Sequence, residues 1–299
     1  MVGAYNSSVS NVLGEAFAPS KLAIVSISTN DKLTQNSWTH FSRVVAPDGA
    51  QSVAAAKYIG GLSPKAVYVI SDNTTYGNGL TKSLIQQLKA TSVKLAGYSG
   101  VNTTGEINAA AQFVKRSGAS TVYFGGTDDV GGRLAKAFSA AGVKVNLIGS
   151  DGIDSPNFIH QVVGLAANIS YTTVFGPLML FSNGNAFSDR YKAAYPNSPA
   201  SGVAAYSYDA TEALLTGLKA AVMAAGRVPT RPEISAAVRN VNLPACFGVD
   251  SAKCQTITGA LAFSKTGERS KSSVLVMKYD DMLNTRLITK QSIDASDLK

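Results

Sequence analysis

At 299 residues, 45% of them hydrophobic and 15% charged, the chain is long enough for two domains and apolar enough to bury a sizeable core. Its net charge of +8 raises nucleic acid or an anionic membrane surface as partners, but Lys and Arg fall one or two at a time, without a basic run or basic–aromatic interleaving, so a generally basic surface is expected and no nucleic acid. No apolar run reaches the ~18–20 residues of a membrane span, and residues 1–6 lack the basic and apolar regions of a secretory signal; the expectation is a chain that is not membrane-inserted and whose leader, if it is exported, has been removed.

Residues 2–5 read as the end of a strand, followed by an Asn/Ser loop and a helix over 9–17. A buried strand over 21–26 ends in the polar run Ile27-Ser28-Thr29-Asn30-Asp31, and 36–46 reads as an extended segment that leaves this sheet. Asp48 is the expected N-cap of a helix over 50–60. Strand and helix then alternate: strand 65–72, loop 73–79, helix 80–91, strand 93–98, helix 106–117, strand 121–126, helix 130–141 and strand 145–150. Four strands alternating with helices predict a parallel sheet covered on both faces, with ligands at the carboxyl ends of its strands. Polar residues gather at those ends, at 72–76, 127–129 and 150–154.

Farther on, a short helix over 156–163 precedes a strand over 168–175, a loop over 177–185 and a helix over 186–195. The longest helical run, 201–225, is closed by Gly226. A helix over 232–241 and strands over 256–263, 273–279 and 284–290 complete the chain. Cys246 and Cys254 lie eight positions apart, as a local disulfide worth ~2–3 kcal/mol in an oxidising compartment or as two free thiols.

Motifs of chemistry are sparse. Gly77-Asn78-Gly79 matches only the first two glycines of a dinucleotide fingerprint, and no P-loop, nucleophile elbow or zinc-protease motif occurs. His40 and His160 are far from each other and from the cysteines, so neither a metal site nor a Ser–His–Asp arrangement is supported; no enzyme and no cofactor is expected. What remains is a kit for a zwitterion at strand ends: Ser7, Ser28, Thr29, Tyr76, Thr127, Asp128 and Asp151. Hydroxyls and helix-start N–H groups receive a carboxylate, and a buried carboxylate such as Asp151 takes an ammonium.

These motifs carry a family resemblance. Residues 27–35, the loop Ser71-Asp72-Asn73-Thr74-Thr75-Tyr76-Gly77-Asn78-Gly79, Val122-Tyr123-Phe124-Gly125-Gly126, and the runs 147–152, 205–210 and 257–269 resemble, in order and spacing, the branched-chain amino-acid-binding proteins of ABC transporters, the leucine-binding-protein-like branch of type I periplasmic binding proteins. The resemblance implies an α/β fold of two Rossmann-like lobes with parallel sheets, joined by a three-segment hinge, the first lobe N-terminally truncated. Lobe 1 would be 1–45 with 174–257 and lobe 2 would be 46–173 with 258–299, with crossings near 44–47, 172–175 and 257–260. It implies an amino-acid ligand in the interlobe cleft, an ABC permease as partner, and a periplasmic or cell-surface location. Ser7 would receive the ligand carboxylate and Thr29 would bond both carboxylate and ammonium. The backbone carbonyl of Ile27 or Ser28 would take the ammonium, Tyr76 would cover the ligand, and Asp151 would pair with the ammonium. Thr127 stands where the family often has an aromatic residue, and Tyr206 would sit at the pocket rim. A sensory or regulatory module of the same fold, or a form that does not bind ligand, is the alternative.

Overall fold

Apolar strands and amphipathic helices alternate from the start of the chain in the computed structural model, which describes residues 1–165, 168–246 and 255–297. Helix α1 (Ser7–Phe17) leads to strand β1 (Ile24–Ser26), a single turn α2 (Lys32–Gln35) and strand β2 (Phe41–Arg43). β1 pairs with β2 in parallel, and Val2 bridges Val25 on its other side. Ile24, Leu33 and Phe41 form the core here, with Leu13, Phe17 and Trp38 packed against them.

The alternation over 65–150 folds into the sheet it predicts. Helix α3 (Asp48–Gly61) is followed by β3 (Val67–Ser71), α4 (Thr75–Leu88), β4 (Leu95–Gly100), α5 (Thr104–Ser117), β5 (Thr121–Gly125), α6 (Asp128–Ala140), β6 (Asn146–Gly149), α7 (Pro156–Val162) and β7 (Asn168–Thr173). Strands β3 to β7 pair in parallel in the order β4-β3-β5-β6-β7. Val67 and Val69 of β3, Tyr123 of β5 and Ile148 of β6 form one core with Ala55, Ala56 and Ile59 of α3 and Leu80, Leu84 and Leu88 of α4. Each buried leucine there contributes roughly 2 kcal/mol. Because side chains alternate along a strand, Tyr68 and Ile70 face the opposite layer.

Helix α4 starts at Thr75, five residues before the expected start at 80. The expected loop over 73–79 is mostly helix, because the Thr74 side chain accepts the Gly77 N–H and caps the first turn. Gly77 is glycine for space: a Cβ there would lie 2.5 Å from the Gly125 carbonyl oxygen and closer still to the Asp72 carboxylate. Asp48, expected as an N-cap, is instead the first residue of α3 and is fully buried.

The remaining elements are α8 (Gly184–Ala194), α9 (Gly202–Ala225), α10 (Arg231–Arg239), β8 (Asn242–Leu243), β9 (Leu261–Ala262), β10 (Lys271–Tyr279) and β11 (Thr285–Asp294). β10 adds antiparallel to β7, and β11 lies beyond it, giving a sheet of seven strands. Of the expected strand over 256–263 only β9 forms. The expected Cys246–Cys254 pairing involves Cys254, which lies outside the described residues.

Two compact units result: Met1–Pro47, Phe175–Ser273 and Ser292–Lys299 in the first, Asp48–Val174 and Val274–Gln291 in the second. The chain passes between units at 47–48, 174–175, 273–274 and 291–292, so that 258–273 belongs to the first unit. The cause is a set of buried bonds. Asp209 of α9 accepts the Ile257 N–H at 2.7 Å and the Thr258 N–H at 3.0 Å, and Arg269 donates to the Val44 carbonyl at 2.9 Å.

Candidate functional site

In the second unit the functional groups stand at the carboxyl ends of parallel strands. Asp151 follows β6 and is 6% exposed. Its Oδ1 accepts the Tyr76 hydroxyl at 2.5 Å and the Gln51 Nε2–H at 2.6 Å. Gln51 in turn accepts the Asp151 N–H at 3.2 Å and the Thr172 hydroxyl at 2.9 Å on its Oε1. Both neutral donors therefore use one carboxylate oxygen. Oδ2 takes no hydrogen bond from another of the described residues.

Burial raises the pKa of Asp151, against the opposing pull of the Tyr76 and Gln51 hydrogen bonds. Burial first, then the Asp151 and Asp48 carboxylates, push the Tyr76 hydroxyl far up, so Tyr76 remains a donor. Tyr123, on β5, is raised for the same reasons; its hydroxyl is buried near Thr172 without a hydrogen bond of good geometry. The Tyr76 ring is half-exposed while its hydroxyl points inward. Two buried carboxylates, Asp151 and Asp48, thus act on both tyrosine hydroxyls.

Thr127 stands at the N-cap position of α6 without a side-chain cap bond. It donates both its N–H, at 3.0 Å, and its hydroxyl, at 3.3 Å, to Asp72 Oδ2. Asp72 Oδ1 meanwhile accepts the Thr74 N–H at 3.0 Å and hydroxyl at 2.6 Å. Asp72 thus ties the loop after β3 to the loop after β5.

In the first unit the relevant residues are at the start of α1 and the loop after β1. Asn6, the N-cap, makes no side-chain cap bond, so the α1 N-terminus keeps uncapped N–H groups. Ser7 opens the helix, and its Oγ accepts the Asn30 N–H at 3.4 Å. The Ser28 hydroxyl is committed to the fold: it donates to the Ala4 carbonyl at 2.9 Å and the Tyr5 carbonyl at 3.0 Å, with Ser10 Oγ 2.6 Å away. The Ser28 carbonyl accepts from Arg43 at 3.3 Å. Ile27 is buried directly after β1. Thr29, 4% exposed, has neither its N–H nor its hydroxyl bonded among the described residues. Two adjacent unused donors beside Ser7 and a helix N-terminus suit a carboxylate.

Tyr206 is buried on α9, edge-on to Phe175 and Phe181 and beneath the Arg269 guanidinium at 5.6 Å. Phe175 packs on Tyr5, whose carbonyl accepts Ser28, so Tyr206 stands two rings back from the Thr29 loop. Sequence reasoning missed Gln51, Arg43 and Glu268. A polar residue among the alanines of α3 was the available signal for Gln51. Among the described residues no helix is long and apolar enough to cross a membrane.

A family model described as periplasmic binding protein matches residues 1–281. An amino acid binding protein of Pseudomonas aeruginosa is 29% identical over 264 residues, 87% of this chain and 66% of that protein. A Leu/Ile/Val-binding protein homolog of Brucella melitensis is 26% identical over 277 residues, 91% of this chain and 69% of that protein. The chain therefore spans about two thirds of the length of these relatives. A leucine binding protein from Thermotoga maritima has the same fold, with a TM-score of 0.82 at 21% identity over 99% of this chain and 80% of that one.

Proposed function

Because the chain belongs to the periplasmic binding protein family and has the α/β fold of its type I branch, we propose that it binds a small amino acid, branched-chain in type, or a related zwitterion, without chemistry. The observation that carries this reading is Asp151: a buried carboxylate held by two neutral donors on one oxygen, with the other oxygen open to a cation. Within the first unit, Thr29, Ser7 and the N-terminus of α1 carry donors of the kind a carboxylate takes. Relatives that are named for amino acid or Leu/Ile/Val binding support the ligand class. Delivery to the permease of an ABC importer, from a periplasmic or cell-surface location, completes the proposal.

Isothermal titration tests it with leucine, isoleucine and valine beside 4-methylpentanoate, which is leucine without its amine. Leucine-type ligands are expected to bind. The deaminated acid is expected to be rejected at least about a hundredfold, because a site built around a buried polar group discriminates steeply against a ligand that leaves it unpaired. Equal binding of leucine and 4-methylpentanoate would remove Asp151 from the reading. No heat with any zwitterion would remove the reading itself.

A further inference from the structure

Arg43 ends β2 and is fully buried. Its guanidinium forks onto Glu268, 225 residues along the chain, with Nε to Oε2 at 2.7 Å and Nη2 to Oε1 at 2.5 Å. Nη2 also donates to Thr34 Oγ1 at 2.8 Å, and Thr34 donates in turn to Glu268. The other nitrogen, Nη1, points away from this pair. It donates to the Asn30 carbonyl at 2.9 Å and to the Ser28 carbonyl at 3.3 Å. These two carbonyls flank Thr29.

The N–H side of the same loop is anchored in the same alternating way. The Ser28 N–H donates to Ser26 Oγ at 3.0 Å and the Asn30 N–H to Ser7 Oγ at 3.4 Å. Residues 28 and 30 are therefore held by both carbonyl and amide, while Thr29 between them keeps both donors unused. A buried ion pair is weak evidence for stability, since apolar replacement of both members is often neutral. What the planar fork of Arg offers, and Lys does not, is fixed direction. The pair is also neutral overall, so it acts on the loop through geometry and not through a long-range field.

We infer that Arg43 and Glu268 are positioning residues for recognition of an anionic ligand group: they clamp the loop around Thr29 so that its N–H and hydroxyl are aimed before the ligand arrives. The carboxylate part of the ligand in this inference rests on the proposed zwitterion binding; the clamp does not. Preorganisation of this kind raises affinity by removing the ordering cost from the binding step.

Hydrogen exchange of the ligand-free protein tests the clamp. Arg43→Lys keeps a charge for Glu268 and loses the fork; Arg43→Met combined with Glu268→Met removes the pair and strands neither charge. In both, the amides of residues 28–31 are expected to exchange at least about tenfold faster, while α9 and α1 keep wild-type rates. Wild-type exchange at 28–31, or acceleration spread evenly through the first unit, would overturn the clamp. In titrations, Arg43→Lys is expected to weaken leucine about tenfold or more and to leave 3-methylbutylamine, which is leucine without its carboxylate, unchanged. Equal loss for both probes would overturn the anionic role. If the wild type takes up neither probe, the zwitterion reading fails, and the exchange rates still decide the clamp.

Discussion

Gln51 grips Asp151 in both directions at once: its Nε2–H donates to Asp151 Oδ1 at 2.6 Å, and its Oε1 accepts the Asp151 N–H at 3.2 Å. The Thr172 hydroxyl bonds the same Oε1 at 2.9 Å, so the amide cannot rotate without losing all three contacts. Asp151 is thereby fixed in backbone and side chain by a residue 100 positions away.

Gln51→Ala therefore strips a buried carboxylate of a donor and leaves the Asp151 N–H and the Thr172 hydroxyl without their acceptor. A loss on the order of 2–4 kcal/mol in urea unfolding is expected, since each stranded buried group costs about 1–3 kcal/mol. An unchanged unfolding midpoint would show that water replaces the amide at no cost.

Asp151 makes stability depend on pH with a definite sign. Burial raises its pKa in the folded protein above the ordinary 3.8. The folded state binds this proton more tightly, so the contribution is full below about 3.8 and is lost as pH rises through the raised value. At neutral pH the ionised side chain is a burden on the fold. Asp151→Asn, whose Oδ1 still accepts from Tyr76 and Gln51, is expected to be more stable than wild type at neutral pH. Its advantage should shrink as pH falls through the raised pKa and vanish below about 3.8. The same variant should lose leucine binding. A variant less stable than wild type at neutral pH contradicts the burial argument.

Gly77→Ala inverts the usual helix ranking. Within a helix, Ala is ordinarily better than Gly by about 1 kcal/mol. Here the methyl group would meet the Gly125 carbonyl oxygen at 2.5 Å and the Asp72 carboxylate, which holds Thr74 and Thr127. Overpacking typically costs about 1–3 kcal/mol, so a net loss is expected in denaturant unfolding. A gain in stability would mean that the loop after β3 yields freely.

Thr29→Val separates binding from folding. The hydroxyl has no partner among the described residues, and the replacement keeps the shape, so stability is expected to stay within about 0.5 kcal/mol. Leucine affinity should fall about tenfold, the worth of one hydrogen bond to a charged group. Unchanged titration curves would clear the Thr29 hydroxyl of any part in binding.

Local pattern carried much of this fold. The apolar runs at β3, β5 and β6 and the amphipathic helices α5 and α6 lie within two residues of their expected places, since hydrophobic period is a property of neighbouring residues. The start of α4 was hidden because Tyr76-Gly77-Asn78-Gly79 has the composition of a loop. What starts the helix there is the Thr74 side chain, which accepts the Gly77 N–H and caps the first turn inside this loop-like run. Among the candidate site residues, Tyr76 and Asp151 are brought together by a hydrogen bond. Ser28 and Thr127 are turned to internal bonds, because carbonyls and carboxylates from distant segments claim their hydroxyls first.

The sequence by itself determined the order of strands and helices, the family, and which polar residues end the strands. All of these follow from short-range periodicity and from motifs met in order along one chain. Only the tertiary structure decided that Gln51 holds Asp151, that Arg43, held by Glu268, bonds the carbonyls on either side of Thr29, and that 258–273 belongs with the first unit. Those are pairings across 13 to 225 residues. A buried donor or charge must find a partner, but nothing in its neighbours along the chain says where that partner will come from.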